Sequence, residues 1–374
     1  MSATPGPVAL VLGVWLGVAF AYRWFAMRSL SFLCDASRTP AEPVPPDGEV
    51  VALRPLHGAP GGFASCQESL LRAVERAGVR VVFGVEERTD PAAAAATAIA
   101  ARHPAARAEV RVARGPDGAN RKVANLIQLS QGIDAELLLL TDADVRVPPD
   151  YVARMTPAFK DGEVGLVTGP YRSVPAQSIP SRLDALVTNT HFVPSTCVAA
   201  RLEGVHFALG ASIAVRSEAL ARGGGFAALL ELAADDYGLA AQVERAGYRI
   251  AWAPLMVEHV LEDDGFTRAL RRQLRWSRVV RGSRPLGYLG QIVALGALPA
   301  LALAALGGSG GALAPLAWWG AQLAHLWRRR ALLALTPLDL ALAPLADLLA
   351  VVIWAGGILG SPEPPESGDA GSLH

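Results

Sequence analysis

Few folds accommodate the segment at residues 137–147, in which four leucines run into two aspartates spaced one residue apart. Four leucines are too few to span a bilayer, but they suit a strand that is buried on both faces. Asp142 and Asp144 then lie at the carboxyl end of that strand, where open α/β sheets bind ligands. Such a pair can reach a divalent cation on a nucleotide diphosphate. A surface turn is the alternative, and the spacing by itself favours the turn.

The segments around this strand alternate between strand and helix patterns. Strands are predicted at residues 50–54, 79–85, 109–113, 164–169, 209–216 and 249–253, and helices at residues 91–102, 122–131, 182–192 and 234–246. This alternation predicts an α/β fold with a mostly parallel sheet, in a cytosolic domain over residues 48–263. Asp90 begins one of the helices, so we expect it at the same sheet edge as Asp142.

Apolar segments of membrane length occur at both ends of the chain and explain its hydrophobic content of 52%. The first carries no charge before Arg23, and its positive charges follow the apolar run, whereas those of a signal peptide precede it. We therefore interpret residues 1–30 as an uncleaved membrane anchor with its amino end outside. The domain that follows is then expected in the cytosol.

Residues 286–360 form a predicted transmembrane region. Two clear spans are predicted at residues 288–306 and 312–327, and one or two weaker spans at residues 332–359, with a break near Thr336. Arginines after the second clear span mark a cytoplasmic end. We expect an integral, multi-pass protein, of a bacterial inner membrane, with a cytosolic catalytic domain.

A basic amphipathic helix is predicted over residues 264–285, before the first of these spans. Its arginines recur at three- and four-residue spacing, and the other face carries Phe266, Leu270, Leu274 and Ser277. We expect the helix to lie at the membrane surface, with its arginines on anionic lipid and one or two turned to a pyrophosphate. Two further segments are predicted to lack regular structure, a proline-rich linker at residues 40–46 and a disordered tail at residues 361–374.

Four polar residues are candidates for a functional site, and each has a structural alternative. Asp235 and Asp236 open a predicted helix, where the helix dipole by itself favours acidic residues. His259 is either a third metal ligand or an ordinary strand residue. His191 is either a buried structural residue or a contact to an acceptor or a phosphate.

The composition limits the partners and the chemistry. Basic and acidic residues number 34 each, so the formal charge is zero and we expect no nucleic-acid partner. Cys34, Cys66 and Cys197 lack Cys-x-x-Cys spacing, which indicates neither a disulfide framework nor a zinc site. Lys122 and Lys160 are the only lysines. Because lysine is so rare in this chain, a lysine inside a motif is less readily explained by chance.

Five motifs resemble, in order and spacing, those of the ceramide glucosyltransferase family, which belongs to the family 21 and family 2 GT-A glycosyltransferases and includes the bacterial hopanoid-biosynthesis glycosyltransferase. They are Thr89-Asp90-Pro91-Ala92, Asn120-Arg121-Lys122-Val123-Ala124-Asn125-Leu126, Thr141-Asp142-Ala143-Asp144, Ala234-Asp235-Asp236-Tyr237 and Arg272-Gln273-Leu274-Arg275-Trp276. The similarity covers nearly the whole chain. It implies a GT-A fold and an inverting enzyme that uses a UDP-sugar with Mn²⁺ or Mg²⁺.

The resemblance also implies roles for individual residues. Asp236 would be the catalytic base, with Asp235, His191 and Gln273 as secondary or acceptor contacts. The metal would be held by Asp144, with Asp142 and His259. The nucleotide sugar would be bound by Asp90, Lys122, Asn125, Asp142, Arg272, Arg275 and Trp276.

Two departures from the family are visible in the sequence. A glycine stands at the position of Asp144 in the animal enzymes, so this chain is closer to the bacterial pattern. The tail after Leu359 lacks the basic end with tryptophan and arginine that is associated with the family, which leaves the final topology open.

The expected activity is transfer of a hexose from a UDP-sugar to a hydroxyl of a membrane lipid, most like a ceramide glucosyltransferase. Inversion requires one base on the face of the sugar opposite the leaving group, and Asp236 meets that need. A hopanoid N-acetylglucosaminyl- or glycosyltransferase is the alternative. A non-catalytic membrane protein that binds nucleotide sugars is an alternative of another class.

Overall fold

The computed structural model of the chain describes residues 6–34, 48–307 and 309–360. The predicted linker at residues 40–46 and the predicted tail at residues 361–374 lie outside these ranges. Cα packing divides the chain into two compact units. The sheet unit contains residues 33–172 and 203–262, and the helical unit contains residues 1–32, 173–202 and 263–362, each as far as the structure describes them.

Ten strands are present in the described residues: β1 (Val50–Pro55), β2 (Arg80–Val85), β3 (Glu109–Val112), β4 (Leu137–Leu140), β5 (Val145–Arg146), β6 (Val164–Thr168), β7 (Tyr171–Val174), β8 (Ile213–Arg216), β9 (Arg249–Trp252) and β10 (Val257–Val260). The α-helices of the amino-terminal half are α1 (Pro7–Cys34), α2 (Phe63–Ala77), α3 (Pro91–Ala100), α4 (Arg121–Ser130), α5 (Tyr151–Met155), α6 (Ile179–Val187) and α7 (Val193–Leu202). Those that follow are α8 (Ser217–Arg222), α9 (Asp235–Arg245), α10 (Phe266–Ser283), α11 (Pro285–Gly290), α12 (Ala297–Ala305), α13 (Ser309–Arg329) and α14 (Pro337–Leu359).

The sheet unit is built on a seven-stranded sheet in the order β3-β2-β1-β4-β8-β6-β9. Neighbouring strands run parallel except at β8, which is antiparallel to both β4 and β6. The predicted α/β fold with a mostly parallel sheet is therefore confirmed. The four leucines of β4 are all buried between β1 and β8, as their composition predicts.

A second, three-stranded sheet forms immediately beyond the end of β4, in the order β5-β10-β7. Three residues after Asp142 the chain enters β5, which pairs with β10 so that His259 is opposite Val145. This pairing brings a histidine from late in the sequence next to the aspartates that follow β4.

In the described residues, two helices are long and apolar enough to cross a membrane, α1 and α14. The count becomes three if the bent segment formed by residues 285–305 is one span, with its two halves at 48°. The clear span predicted at residues 288–306 coincides with this bent segment, and α13, which contains the span predicted at residues 312–327, is not among these candidates. The first is interrupted by this bend, and α13 carries polar Gln322 and His325 near the arginines at its end.

The continuous helix of membrane length in the carboxyl-terminal region is α14, where the sequence predicted a weaker span because of two aspartates. Both are buried and paired. Asp339 accepts a hydrogen bond from Arg182 at 2.9 Å, and Asp347 accepts bonds from the indole nitrogens of Trp318 and Trp319 at 2.7 and 3.1 Å. Because their charges are compensated inside the helical unit, the aspartates do not break the helix. The break predicted near Thr336 is the capped start of α14.

The predicted basic helix is present as α10, but its buried stripe differs from the prediction. Ala269, Gln273 and Ser277 face the helical unit, whereas Phe266 is 50% exposed. The helix packs against α6 and α14. The sequence periodicity predicted the helix correctly. Which face of α10 is buried depends on the polar groups that its side chains contact in the helical unit.

Candidate active site

The centre of the candidate site is an ion cluster around Lys122. Asn120 caps the start of α4 and thereby places Lys122 in the first turn of that helix. The lysine ammonium lies 2.7 Å from Oδ1 of Asp142 and 3.1 Å from Oδ2 of Asp235. Burial acts to lower the pKa of Lys122, but the two carboxylates outweigh it and raise that pKa, so the ammonium remains charged.

Asp236 lies beside this cluster, in the first turn of α9. Its carboxylate accepts hydrogen bonds from the backbone N–H of Gly210 at 2.9 Å and of Tyr237 at 2.7 Å. Burial, followed by the negative charge of Asp235, raises the pKa of Asp236 to about 6, while Lys122 acts in the opposite direction. A carboxylate with this pKa is suited to accept a proton near neutral pH.

Gly210 is the point where these groups meet, and the sequence did not single it out. A Cβ at this position would lie 3.3 Å from Oδ2 of Asp236, 3.6 Å from Nζ of Lys122 and 3.7 Å from Oδ2 of Asp142. The structure thus confirms that residues separated by more than a hundred positions share one small region. The sequence placed Gly210 inside a strand predicted at residues 209–216, whereas β8 begins only at Ile213 and Gly210 lies in the loop before it.

Asp144 forms a second polar contact, with His259. Its Oδ2 lies 3.2 Å from the histidine Nε2, and the ring of His259 packs edge-on against Tyr171. Burial acts to raise the pKa of Asp144, but the imidazole lowers it, although almost half of the side chain, 47%, is open to solvent. The carboxylate therefore stays ionised and accessible.

The Asp144–His259 pair suits a divalent ion in part. Two neighbouring ligands of an octahedral ion at about 2.1 Å lie roughly 3 Å apart, which matches the separation of these two atoms. Among the described residues, no three His, Cys, Asp or Glu side chains are arranged to hold an ion by themselves. An ion at this pair would need further oxygen ligands, such as those of a diphosphate.

Asp90 caps α3 and fixes the glycine-rich loop after β1. Its carboxylate accepts from the N–H of Ala92 at 2.8 Å and from that of Gly58 at 3.0 Å, and His57 Nδ1 lies 3.1 Å away. The side chain is 10% exposed. The predicted uridine contact is untested, and these bonds show that Asp90 also orders the loop.

Asn125 makes a structural hydrogen bond inside the sheet unit and is not exposed to solvent. It is buried, and its amide donates to the carbonyl of Gly84 in β2 at 3.1 Å. A Cβ at Gly84 would clash with Asn125. The predicted contact of Asn125 with a nucleotide sugar therefore has little support in the geometry.

The remaining predicted residues belong to the helical unit. Arg272 donates from Nε to Asp184 at 3.1 Å and from Nη1 to Asp264 at 2.6 Å, and Gln273 donates to Asp184 at 2.6 Å. Asp184 is 1% exposed. Arg272 therefore neutralises a buried carboxylate and Gln273 donates a hydrogen bond to it, roles that the motif did not reveal.

We expect Arg272→Met to lower the free energy of unfolding by about 3–5 kcal/mol, because it leaves the buried charge of Asp184 without its main partner. The melting temperature should fall by several degrees with or without nucleotide. The matched control is Arg271→Met, an exposed neighbour whose loss should change little. Unchanged melting with weaker UDP binding would instead support the predicted direct contact.

His191 also has structural partners in the helical unit. Its Nε2 lies 3.2 Å from Oδ1 of Asp347 and 3.4 Å from an Arg23 nitrogen. These contacts favour the structural interpretation, and a role toward an acceptor stays a prediction. Trp276 lines a cavity of about 90 Å³ in the same unit. Arg275 lies in the same helix, partly buried.

A family model described as Glycosyl transferase family 21 matches residues 12–361. The chain belongs to glycosyl transferase family 21. The suspected family is thereby confirmed, and the protein is a glycosyltransferase. In this family 21 member, the matched residues include the ion cluster around Lys122, the Asp144–His259 pair, all of α14, and α1 from residue 12 onward.

Two solved structures are similar to this chain. A mannosyltransferase from Pyrobaculum calidifontis, in complex with GDP-Man and Mn²⁺, is 19% identical over 92% of this chain and 97% of that chain, with a TM-score of 0.53. Glucosyl-3-phosphoglycerate synthase from Mycobacterium tuberculosis, with Mn²⁺, UDP and phosphoglyceric acid, is 16% identical over 68% of this chain and 82% of that chain, with a TM-score of 0.39. The first match supports the GT-A fold.

Proposed function

We propose that this family 21 enzyme is a membrane-bound, inverting glycosyltransferase that transfers a hexose from a UDP-sugar to a hydroxyl of a membrane lipid, most like a ceramide glucosyltransferase. The observation that carries the proposal is the position of Asp236, a partly buried carboxylate beside the Lys122 cluster with a pKa raised to about 6. One such base, acting on the acceptor hydroxyl, gives inversion in a single displacement.

The donor would bind at the carboxyl ends of β2 and β4. Asp90 lies at the first of these and Asp142 at the second, with Lys122 placed to meet phosphate oxygens once a nucleotide is present. The mannosyltransferase of similar fold contains GDP-Man and Mn²⁺, so this fold accommodates a nucleotide sugar with a metal. Arg275 and Trp276 are proposed donor contacts on the family resemblance alone.

Asp144 and His259 would hold Mn²⁺ or Mg²⁺, with Asp142 adjacent. When bound, the ion supplies neutralisation of the charge that develops on the leaving diphosphate. The protein's own part is to keep Asp144 ionised, through His259, and to keep the ammonium of Lys122 beside the same site. Asp236 takes up the proton of the acceptor hydroxyl.

A lipid acceptor is supported by the helical unit. Its helices α1 and α14 are long and apolar enough to cross a membrane. The cavity of about 90 Å³ is lined mostly by apolar and aromatic side chains, with a few polar groups among them. Its lining includes Trp276, Val280, Leu295, Ile353, Trp354 and Ser277. Such a surface suits a molecule with an apolar chain and a polar head.

The test is mass spectrometry of lipids extracted from a host that expresses the protein, beside a host that expresses Asp236→Asn. We expect a new lipid, heavier than its precursor by one hexose, in the first host only. Its precursor identifies the acceptor as a ceramide, a hopanoid or a diacylglycerol. If no new lipid forms, and the purified protein with Mn²⁺ hydrolyses no UDP-sugar, the proposal is wrong.

A further inference from the structure

Arg54, near the end of β1, lies fully buried beneath the loop that carries the two aspartates. Its Nε donates to Oγ1 of Thr141 at 2.8 Å, and its Nη2 donates to the carbonyl of Val145 at 3.0 Å. Its Nη1 donates to the carbonyl of Cys66 and to Oε1 of Gln67, each at 3.0 Å. One guanidinium thus holds both ends of residues 141–145.

Gln67 of α2 completes this arrangement from the same side. It is buried, accepts from Arg54, and donates from Nε2 to the carbonyl of Ala143 at 2.8 Å. Residues 141, 143 and 145 are therefore fastened to Arg54 and Gln67. The intervening carboxylates, Asp142 and Asp144, are left to face Lys122 and His259.

Packing alone does not explain a charged residue at position 54. The preceding residues of β1 are apolar and buried, and an apolar residue would continue that pattern. A buried cation is expensive in free energy unless hydrogen bonds and opposite charges compensate it. Burial lowers the pKa of Arg54 to about 10, so it is charged at neutral pH, with Asp142 and Asp144 among the charges that favour the cation.

We propose that Arg54, together with Gln67, is a positioning residue for the donor site: it fixes the backbone of residues 141–145 so that both aspartates present their carboxylates to the metal and the diphosphate. The guanidinium touches neither ligand, and it acts through Thr141, Ala143 and Val145. The inference rests on the proposed donor role of Asp142 and Asp144.

Three variants remove single parts of this arrangement. Arg54→Lys keeps the charge and loses most of the hydrogen bonds, Thr141→Val keeps the shape and loses the acceptor for Nε, and Gln67→Met loses the bond to Ala143. The matched control is Arg154→Lys. Arg154 is also buried in the sheet unit, and it bonds to Asp150 and to the carbonyl of Pro254.

Two measurements test the proposal: affinity for UDP in the presence of Mn²⁺, by calorimetry, and hydrogen exchange of a peptide covering residues 138–147 without ligand. We expect Arg54→Lys to weaken binding by about 10-fold or more, as loss of a group that orients metal ligands typically does. Thr141→Val and Gln67→Met should weaken it less, all three should exchange faster, and Arg154→Lys should match the parent in both.

Parental affinity and exchange in folded Arg54→Lys, or equal weakening in Arg154→Lys, overturns the proposal. If Arg54→Lys does not fold, Thr141→Val and Gln67→Met decide the outcome, since both leave the buried cation in place. A parent that does not bind UDP with Mn²⁺ overturns the proposed donor site. The exchange measurement needs no ligand, so it separates that failure from a failure of Arg54 to hold the loop.

Discussion

Asp236→Asn is expected to reduce the rate of transfer by about 10²–10⁴-fold, the range that a positioned general base contributes. The amide has nearly the shape of the carboxylate and can still accept a hydrogen bond from the N–H of Gly210 or Tyr237. It cannot take a proton from the acceptor hydroxyl. The affinity for UDP should therefore stay close to that of the parent, as calorimetry would show.

The same variant should be more stable than the parent at neutral pH. The pKa of Asp236 in the folded protein is raised to about 6. Above that pH the ionised carboxylate is therefore less stable in the folded state than in the unfolded state, and this lowers the free energy of unfolding. Replacing it should raise the free energy of unfolding by up to about 3 kcal/mol at pH 7 to 8, and this gain should vanish toward about pH 3, which is below both pKa values, so the group is protonated in both states. Parental turnover by Asp236→Asn would exclude it as the base.

Lys122→Met should move the acid limb of the activity profile to higher pH. Turnover at saturating donor should fall in the parent as the pH drops through about 6, because the base must be unprotonated. Lys122 lowers the pKa of Asp236, so its removal should shift the limb upward by about 1–3 units. Activity lost at neutral pH should return in part at alkaline pH.

Asp235→Asn is the matched variant for Lys122→Met, and it should shift the pH–activity profile in the opposite direction. The negative charge of Asp235 raises the pKa of Asp236, so neutralising it should move the acid limb to lower pH. Lys122→Arg keeps the cation and should leave the limb close to 6. If the acid limb of the pH–activity profile moves in the same direction in Lys122→Met and Asp235→Asn, a group other than Asp236 controls it.

The sequence predicted those parts of the structure that depend on local pattern. Residues 137–140 form a strand between two others because four adjacent leucines need burial on both faces. Asp90 and Asp142 were placed at one sheet edge because each directly follows a strand or opens a helix, whereas the role of Asp236 came from its motif. The first two positions are ones that βα alternation brings to one edge of a sheet.

Partners from distant parts of the chain could not be predicted in this way. His259 reaches Asp144 only because β5 and β10 pair, and Arg54 reaches Val145 across 91 positions. Arg272 was assigned to the donor from its motif, since Asp184, 88 positions away, gave no local signal. The paired aspartates of α14 were counted against a span for the same reason. A hydropathy score includes the charge of Asp347 but not the hydrogen bonds that two tryptophans donate to it.

The order of segments in the two units limits how the enzyme can be shortened. Residues 173–202 lie between strands of the sheet unit, yet they pack with the helical unit. Leu183, Leu186 and Val187 share an apolar cluster with Ile353 and other residues of the last helix. A fragment cut at residues 48–263 would keep these three side chains and lose their covering, so it should associate or precipitate. A water-soluble catalytic fragment would need a short replacement for residues 173–202, as well as removal of the apolar helices at both ends of the chain.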